Sequence, residues 1–561
     1  MSVTGSESCI KNKIKKEPAY IFVVGGVMSG VGKGITSSSI AKLLQSRGLI
    51  VTAIKIDPYI NVDAGTMNPT EHGEVFVLKD GLETDQDMGN YERFLNTDLP
   101  SDNYMTTGSV YQAVIHRERS LGYKGKNVQV VPDIPREVIL RIKRAQKLAD
   151  ADVTIVEVGG TIGEYENILF LEAVRMMKSA MPHKVGVVMV SYLPVPGSIG
   201  EMKTKPTQHA ARTLGSAGVQ ADIIIARSVA MVDKKRKEKI STFCNVRPEN
   251  VISAPDVSSI YEIPLNFEKD KLSERLCSLL DLPCCQSSDL HTWRRFVAKT
   301  RNTQDTVNIA VVGKYFNSGD FVLSDVYISI LEAVKYSSYQ KGVKPNITYL
   351  SSSDFTNDKN IESLQTYDGI IVPGGFGTTG IDGKLAVIKY ARTQKIPYFG
   401  ICYGMQLAVV EFAQNRAGIK EASSKEINPD AKDLVVDILP EQKQKVAHGD
   451  MGGSMRLGHY PTQLIKGTIA RKAYGVDEVL ERHRHRYEVN PEYLDVLTSA
   501  GLILSGASPD GRLAEIVELR EEEHPFFVGV QFHPELQARP LKPHPLFSAF
   551  IKAAITRIKN K

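Results

Sequence analysis

The chain has 561 residues, which at about 150 residues per domain allows three to four folding units and excludes a single small module. Hydrophobic residues make up 42% and charged residues 24%, an ordinary globular balance, and 69 Lys and Arg against 64 Asp and Glu leave a net charge of +5. So small a surplus predicts neither a nucleic-acid nor a membrane surface, although a pocket for a phosphorylated small molecule needs only a few cations.

Residues 1–19 form an N-terminal tail. Lys11, Lys13, Lys15 and Lys16 lie there without the apolar core of a secretory signal. This reads as a solvated tail, with a phosphate- or lipid-binding arm as the alternative. No run of 18 apolar residues follows. The six cysteines (Cys9, Cys244, Cys277, Cys284, Cys285 and Cys402) contain no C-x-x-C pair and make no disulfide framework, which fits a reducing cytoplasm.

From residue 20 onward short apolar runs alternate with glycine-bearing turns and helical stretches, as in an α/β parallel sheet. The spacing predicts strands at 20–25, 51–55, 153–158, 185–193 and 222–226. A polar break after Leu282 and a helix around Trp293 mark a linker at 284–305. A second α/β series then begins, with strands at 307–312, 368–373, 397–402 and 526–531. The expectation is two doubly wound, mainly parallel-sheet domains, at 20–283 and 306–561.

The first predicted strand runs into Gly26-Val27-Met28-Ser29-Gly30-Val31-Gly32-Lys33-Gly34 and then a helix at 35–47. A strand, a glycine-rich turn, a lysine and a helix are what phosphate binding requires, because backbone N–H groups curl round the oxygens and the helix N-terminus adds its dipole. The match to the usual P-loop is imperfect. One extra residue lies between Gly26 and Gly32, and Gly34 stands where a Ser or Thr hydroxyl would reach magnesium. A metal would therefore depend on carboxylates elsewhere. Glu157 falls at the carboxyl end of the third predicted strand, and Asp85 and Asp87 lie in a loop that also reads as a solvated turn. Lys203-Thr204-Lys205-Pro206-Thr207-Gln208 would suit a second triphosphate as well as it would suit solvent.

In the second series, Gly400-Ile401-Cys402-Tyr403-Gly404 closes a strand and opens a helical run at 405–412. G-x-C-x-G is the cysteine form of the nucleophile elbow, in which small flanking residues permit a strained turn. A helix N-terminus beside an imidazole favours the thiolate, a strong nucleophile. The last predicted strand leads into Phe532-His533-Pro534-Glu535, a base with its orienting carboxylate. Gly374-Gly375-Phe376-Gly377 offers backbone N–H groups to an oxyanion. Arg482-His483-Arg484-His485-Arg486-Tyr487 reads either as a solvated charged face or as a ligand contact.

Together with Lys55-Ile56-Asp57-Pro58-Tyr59-Ile60-Asn61-Val62-Asp63, His72-Gly73-Glu74-Val75-Phe76 and Met455-Arg456-Leu457-Gly458, these segments resemble the CTP synthase family over nearly the whole chain. Its members join an amidoligase domain to a class I glutamine amidotransferase domain. The resemblance implies ATP- and glutamine-dependent amination of UTP to CTP, with Lys33, Cys402, His533 and Glu535 as catalytic residues. It implies ATP at Gly30, Val31, Gly32, Lys33, Gly34, Ile35 and Asp87, with Pro255, Asp256 and Val257 near the base and Mg²⁺ bridged by Asp87 and Glu157. UTP is expected at Ser29, Lys203, Thr204, Lys205, Pro206, Thr207, Gln208 and Lys239, with CTP as feedback inhibitor extending to Glu164, Tyr165 and Glu166. Glutamine is expected at Gly375, Tyr403, Gly404, Met405, Gln406, Glu426 and Arg486, and an ammonia passage at His72 and Val75. GTP as activator and a homotetramer capable of filaments complete the implied picture.

The implied chemistry is coherent. UTP's O4 is a poor leaving group, so ATP phosphorylates it before ammonia displaces phosphate, while the thiol liberates that ammonia from glutamine. Several residues depart from the family's usual pattern. Glu164-Tyr165-Glu166 replaces Asp-Ile-Glu, Thr378-Thr379-Gly380 lacks an arginine, 446–451 lacks the basic residues of the proposed GTP region, Tyr403 replaces Leu, and Ser424-Lys425 replaces Ser-Thr. The alternatives are an amidoligase acting on a carboxylate, which leaves 203–208 without a purpose, and an ATP-switched scaffold, which has no use for a thiol, a base and its carboxylate.

Overall fold

Strands buried on both faces read as unbroken apolar runs, and their natural partner is a parallel sheet covered by helices. The computed structural model describes all residues except 1–16, 198–199, 284–287, 315–316, 319–320, 323, 357 and 439–454. It divides into two compact units, Met1–Ala64 with Asp87–Val297, and Gly65–Gln86 with Ala298–Lys561.

In the first unit the strands are β1 (Ala19–Gly25), β2 (Val51–Asp57), β3 (Tyr104–Thr106), β4 (Val153–Val158), β5 (Val185–Tyr192), β6 (Ile223–Ser228) and β7 (Val251–Pro255). They form one sheet in the order β3-β2-β4-β1-β5-β6-β7, and every neighbouring pair is parallel. The two strands missing from the sequence reading, β3 and β7, are the edges, short enough to carry little periodic signal. β1 is central, so its outgoing turn and helix α1 (Lys33–Ser46) stand at the middle of the sheet's carboxyl edge, where open α/β sheets bind ligands.

The segment expected as a linker contains a packed helix, His291–Asn302. Trp293, Phe296 and Val297 are buried, the spacing of one helical face. The Trp293 ring lies 5.1 Å from that of Phe94, and its indole N–H donates to the Tyr261 carbonyl at 2.8 Å. Those apolar contacts place the helix with the first unit as far as Val297.

The second unit carries β8 (Thr306–Gly313), β9 (Lys344–Ser351), β10 (Gly369–Val372), β11 (Tyr398–Ile401), α2 (Tyr403–Asn415), β12 (Arg456–Leu464), β13 (Glu478–His485), β14 (Ile503–Ala507), β15 (Ala514–Glu518) and β16 (Phe527–Val530). The sheet order is β9-β8-β10-β11-β16-β15-β14-β12-β13. The first five strands are parallel: four of them are those expected from the sequence, and the fifth, the edge strand β9, was missed; the remaining pairings are antiparallel. The antiparallel half was not legible because β12 mixes apolar residues with glycine, proline and polar ones, and β13 interleaves charged and apolar residues, so neither has a buried-strand signature.

The second unit also takes in residues 65–86, a strap from the amino-terminal half of the sequence. Its hairpin, Phe76–Val77 against Glu83–Thr84, lies by β13. The Glu74 carboxylate accepts the Ser329 N–H at 3.2 Å, Arg482 donates to the Val77 carbonyl at 3.1 Å, and Arg484 pairs with Glu83 at 2.7 Å.

Cys244 and Cys402 are free thiols and Cys277 is disulfide-bonded, a bond that the cysteine spacing did not foretell. Among the described residues no helix is long and apolar enough to cross a membrane.

Candidate functional site

The turn after β1 curls through Gly30 and Gly32, both at positive φ (71° and 90°), and delivers Lys33 as the first residue of α1. The Lys33 ammonium donates to the Gly160 carbonyl at 2.8 Å. Burial lowers its pKa, and the charge of Glu157 opposes that shift. Gly34 explains the irregular P-loop. A Cβ at this position would lie 2.0 Å from Asp87 Oδ1, so the carboxylate fills the space of the missing hydroxyl-bearing side chain.

Behind it, Lys55 on β2 reaches Asp87 Oδ2 at 2.5 Å, Glu157 Oε1 at 2.9 Å and Asp57 Oδ1 at 3.6 Å. The Tyr91 hydroxyl donates to Glu157. Burial would raise the Asp87 pKa, yet the charge and hydrogen bond of Lys55, the charge of Lys33 and the hydrogen bond from Asn90 together outweigh it and hold the carboxyl below its ordinary value. Burial does raise the pKa of Glu157. Asp85 and Asp87 therefore differ: Asp85 belongs to the strap's unit, whereas Asp87 opens a helix, Asp87–Leu95, in the first unit.

Beside the turn, Gly32, Ile35, Arg227, Pro255, Asp256 and Phe267 help to line a pocket of about 360 Å³. That volume and the mixture of apolar walls with a few polar groups suit a planar base. Arg227 braces it, donating to the Val31 carbonyl at 3.1 Å and to Asp256 at 3.0 Å.

The candidate uridine residues divide. Lys203 pairs with Glu201 at 2.7 Å, and the charges of Arg236 and Lys239 also act on Glu201, so the cations of the two segments share one surface. Ser29 and Lys239 are exposed. The Thr207 side chain instead turns into the core, where its hydroxyl meets that of Ser191 at 2.8 Å. What Thr207 has to offer a ligand is therefore backbone at the start of the helix Lys205–Ser216. Pro206, near the start of the same helix, has no N–H to add. Glu164 accepts the Thr161 N–H at 2.6 Å and its charge reaches Lys33, while Tyr165 is 91% exposed.

In the second unit, Cys402 leaves β11 at φ 50° and ψ −102° and caps α2. Such a backbone costs a side-chain-bearing residue about 1–3 kcal/mol and presents its side chain above the sheet. The glycine after the next residue is obligatory, since a Cβ on Gly404 would stand 2.1 Å from the Val372 carbonyl oxygen. The Cys402 thiol lies 3.7 Å from the Arg484 carbonyl oxygen and 3.7 Å from Gln531 Nε2. His533 Nδ1 pairs with Glu535 Oε1 at 2.7 Å, which leaves Nε2, buried and without a hydrogen-bond partner, for the sulfur. Burial alone would lower the His533 pKa, but the charges of Glu535 and Cys402 outweigh it and hold the imidazole at about 10.

The thiol opens on a pocket lined by Gly374, Gly375 and Phe376 and by Glu74 and Val75 of the strap. His72, in the strap's short helix Pro69–His72, is exposed. Gly377 closes the glycine turn and donates its N–H to Glu426 at 2.6 Å. Burial raises the Glu426 pKa. The segment 482–487 is no solvated face: His483 and His485 are buried and hydrogen-bonded to each other at 2.9 Å, while Arg484 lines the thiol pocket.

Of the expected glutamine contacts, Gly375 lines this pocket, and Glu426 and Arg486 are near enough for their charges to interact. Met405 packs inward, fully buried, where a Cβ on Gly529 would meet it at 3.0 Å. Gln406 is likewise turned inward, donating to the Tyr487 carbonyl at 2.9 Å. Gln406 also reaches, at 3.3 Å, Gln531, whose Nε2 lies 3.7 Å from the thiol, so it is linked to the sulfur through one intervening amide, and its Oε1 is buried without a hydrogen-bond partner. Sequence reasoning assigned no part to Lys55, Arg227 or Lys384, and took Arg484 only as a member of a segment that read either as a solvated face or as a ligand contact. A lysine within an otherwise apolar strand was a usable signal for Lys55; for Arg227 there was none beyond charge, and for Arg484 the alternating Arg and His of 482–487 was the signal. The expected GTP segment, 446–451, lies outside the described residues.

Residues 19–282 match the family model described as CTP synthase N-terminus, and residues 322–553 match that of glutamine amidotransferase class-I. The chain is 48% identical over 543 residues to the CTP synthase of Halalkalibacterium halodurans, covering 96% of this chain and 99% of that protein. It is equally 48% identical, over 544 residues, to the CTP synthase of Caldanaerobacter subterraneus subsp. tengcongensis, with the same coverage. Among solved structures, the glutaminase domain of Trypanosoma brucei CTPS with bound acivicin is 38% identical, aligned over 45% of this chain and 94% of that one with a TM-score of 0.41.

Proposed function

The chain belongs to the CTP synthase family and is a ligase that makes CTP from UTP with ATP and nitrogen from glutamine; from that premise we propose that Cys402, His533 and Glu535 liberate the nitrogen and that Lys33, Asp87 and Glu157 serve the phosphoryl transfer that activates UTP. The observation that carries this reading is the buried Cys402, His533 and Glu535 set at a strained elbow beside a glycine turn. A thiolate there attacks the glutamine side-chain carbonyl, the backbone N–H groups of the glycine turn stabilise the oxyanion, and His533 gives its proton to the departing nitrogen. Water then releases glutamate from the thioester. Ammonia must reach activated UTP unprotonated, and Val75 in the pocket wall supports a passage along the strap, with His72 three residues away.

In the first unit, Lys33 would meet the phosphates of ATP, with the base in the pocket at Pro255, Asp256 and Val257. Ser29, Lys239 and the segment from Lys203 to Gln208 would hold UTP, and Glu164, Tyr165 and Glu166 would extend the same site for CTP as inhibitor. Among the described residues no group of three His, Cys, Asp or Glu side chains could hold a metal ion by itself. Two carboxylates together with triphosphate oxygens do suit Mg²⁺, and Asp87, occupying the space above Gly34, fits the part. Bound there, Mg²⁺ would neutralise phosphate charge during transfer. GTP activation, a homotetramer able to form filaments, and a cytoplasmic setting complete the reading.

Supplied with ATP, UTP and Mg²⁺, the protein should form CTP with either glutamine or ammonium salts. Removal of Mg²⁺ by a chelator should stop both routes and spare glutamine hydrolysis. CTP formation undiminished without divalent metal would remove Asp87 and Glu157 from the proposed role.

The position of His533 sets an expected pH dependence. Its native pKa, about 10, is above the ordinary 6.5. Its contribution to stability is therefore full below about pH 6.5 and lost as pH rises through about 10. For glutamine hydrolysis, kcat/KM should keep its imidazolium-dependent activity through neutrality, with the basic limb near 10. Glu535→Gln should move that limb down. A wild-type limb between about 6 and 7, near the ordinary histidine value, would show that the pairing does not hold the proton.

A further inference from the structure

Lys384 lies in the helix Ile381–Thr393, which follows the glycine turn, and is fully buried. Its amine has no hydrogen-bond partner. Burying a polar group without a partner is costly, so its surroundings deserve an explanation. The amine stands 5.1 Å from the centroid of the Tyr403 ring, within the range over which a cation is drawn to an aromatic face.

Tyr403 is itself buried and follows the nucleophile directly, so its backbone opens α2 at a position that stabilises an oxyanion in elbow sites. Its hydroxyl donates to the Gly377 carbonyl at 2.9 Å. The N–H of the same glycine donates to Glu426 at 2.6 Å. Gly377 is thus held through both its backbone groups, and one side chain ties the nucleophile's helix to the turn opposite.

Taking Cys402 as the nucleophile that attacks glutamine, we propose that Tyr403 and Lys384 are positioning residues that keep the two halves of the oxyanion site in register, Tyr403 through its hydroxyl and Lys384 by fixing the ring. Neither needs to touch substrate. Burial lowers the Lys384 pKa to about 7, the charge of Lys314 adding to the effect and that of Glu426 opposing it. Ammonium and amine alike carry N–H bonds for the ring face, so the device does not depend on one protonation state.

The experiment compares wild type, Tyr403→Phe, Lys384→Met and the double variant in glutamine hydrolysis, in CTP synthesis from ammonium salts and in thermal unfolding. Each single change should lower kcat for glutamine hydrolysis about tenfold with KM held within about twofold, because misplaced oxyanion donors cost the transition state more than the ground state. The double variant should be no slower than the slower single, the signature of two residues acting through one device. Synthesis from ammonium salts should be unchanged, and the Tm of Lys384→Met should not fall, since the change removes an unpartnered amine. Wild-type kcat in Tyr403→Phe would overturn the proposal, as would losses that simply multiply in the double variant. A raised KM with kcat intact would also overturn it by making Tyr403 a direct glutamine contact. Should Lys384→Met fail to fold, the Tyr403→Phe result decides alone. Failure of the underlying reading looks different: Cys402→Ala would then still hydrolyse glutamine.

Discussion

Cys402→Ala should abolish glutamine-dependent CTP synthesis, by about 10⁴-fold or more, while synthesis from ammonium salts should continue at the wild-type rate. The expected size of the loss follows from the chemistry. In the proposed mechanism no other group of the pocket would replace a thiolate that forms a covalent intermediate, and a base without its nucleophile would retain little of the effect of the set. The substitution keeps Cβ, so the backbone at φ 50° and the contacts of α2 are retained. Cys402→Gly, equally inactive with glutamine, should be more stable than the Ala variant by about 1 kcal/mol, because glycine adopts positive φ without strain. Parallel progress curves with the two nitrogen sources, together with thermal unfolding, check both statements. Loss of both routes in a folded Ala variant would mean that Cys402 serves the synthetase reaction directly. Equal Tm values for Ala and Gly would mean that the elbow stores no strain.

The second large effect falls on the first unit and has the opposite selectivity. Lys33→Ala should lower CTP formation from glutamine and from ammonium salts alike, by about 10³-fold, through loss of the cation beside the transferring phosphoryl group. Gly34→Ala should do nearly as much without changing any charge. Its methyl group would lie 2.0 Å from Asp87 Oδ1 and 2.6 Å from Asp87 Cγ, while the other oxygen of that carboxylate is held by Lys55 at 2.5 Å. The carboxylate must yield, and a displacement of about 1 Å costs about 10²-fold where geometry carries the catalysis. Hydrolysis of glutamine should persist in both variants. Ammonia-driven turnover retained in Lys33→Ala would take Lys33 out of phosphoryl transfer, and full activity in Gly34→Ala would show that Asp87 does not act from the place it occupies.

The strands that the sequence announced are those buried on both faces, such as β4 and β5, whose composition leaves no other reading. β13 shows why others stayed hidden. Glu478–His485 alternates charge with apolar and imidazole side chains, and its charged members are accommodated by partners remote in sequence, as Arg484 is by Glu83. The elbow at Cys402 and the pair His533 and Glu535 were legible because each is a short motif whose geometry is local. Met405 and Gln406 lay in the same motif, yet only tertiary structure shows that Met405 is packed into the core against Gly529 while Gln406 is joined to Tyr487 and, through Gln531, to the thiol. The helix expected around Trp293 within the linker at 284–305 is present as His291–Asn302, but that its apolar face packs against Phe94 and Tyr261 was not legible from the polar break that set the linker.

Local chemistry in the sequence therefore determined the two α/β units, the glycine-rich turn with its lysine, and the elbow thiol and the paired His533 and Glu535, because each depends on residues adjacent in the chain or on periodicity within one element. Tertiary structure alone decided that residues 65–86 pack with the carboxyl-terminal unit, that Asp87 fills the space above Gly34, that Lys55 binds the acidic pair, and that Lys384 lies buried over Tyr403. Those are contacts between groups tens to hundreds of residues apart or across a helix, and their energies come from burial and charge pairing, which no local pattern records.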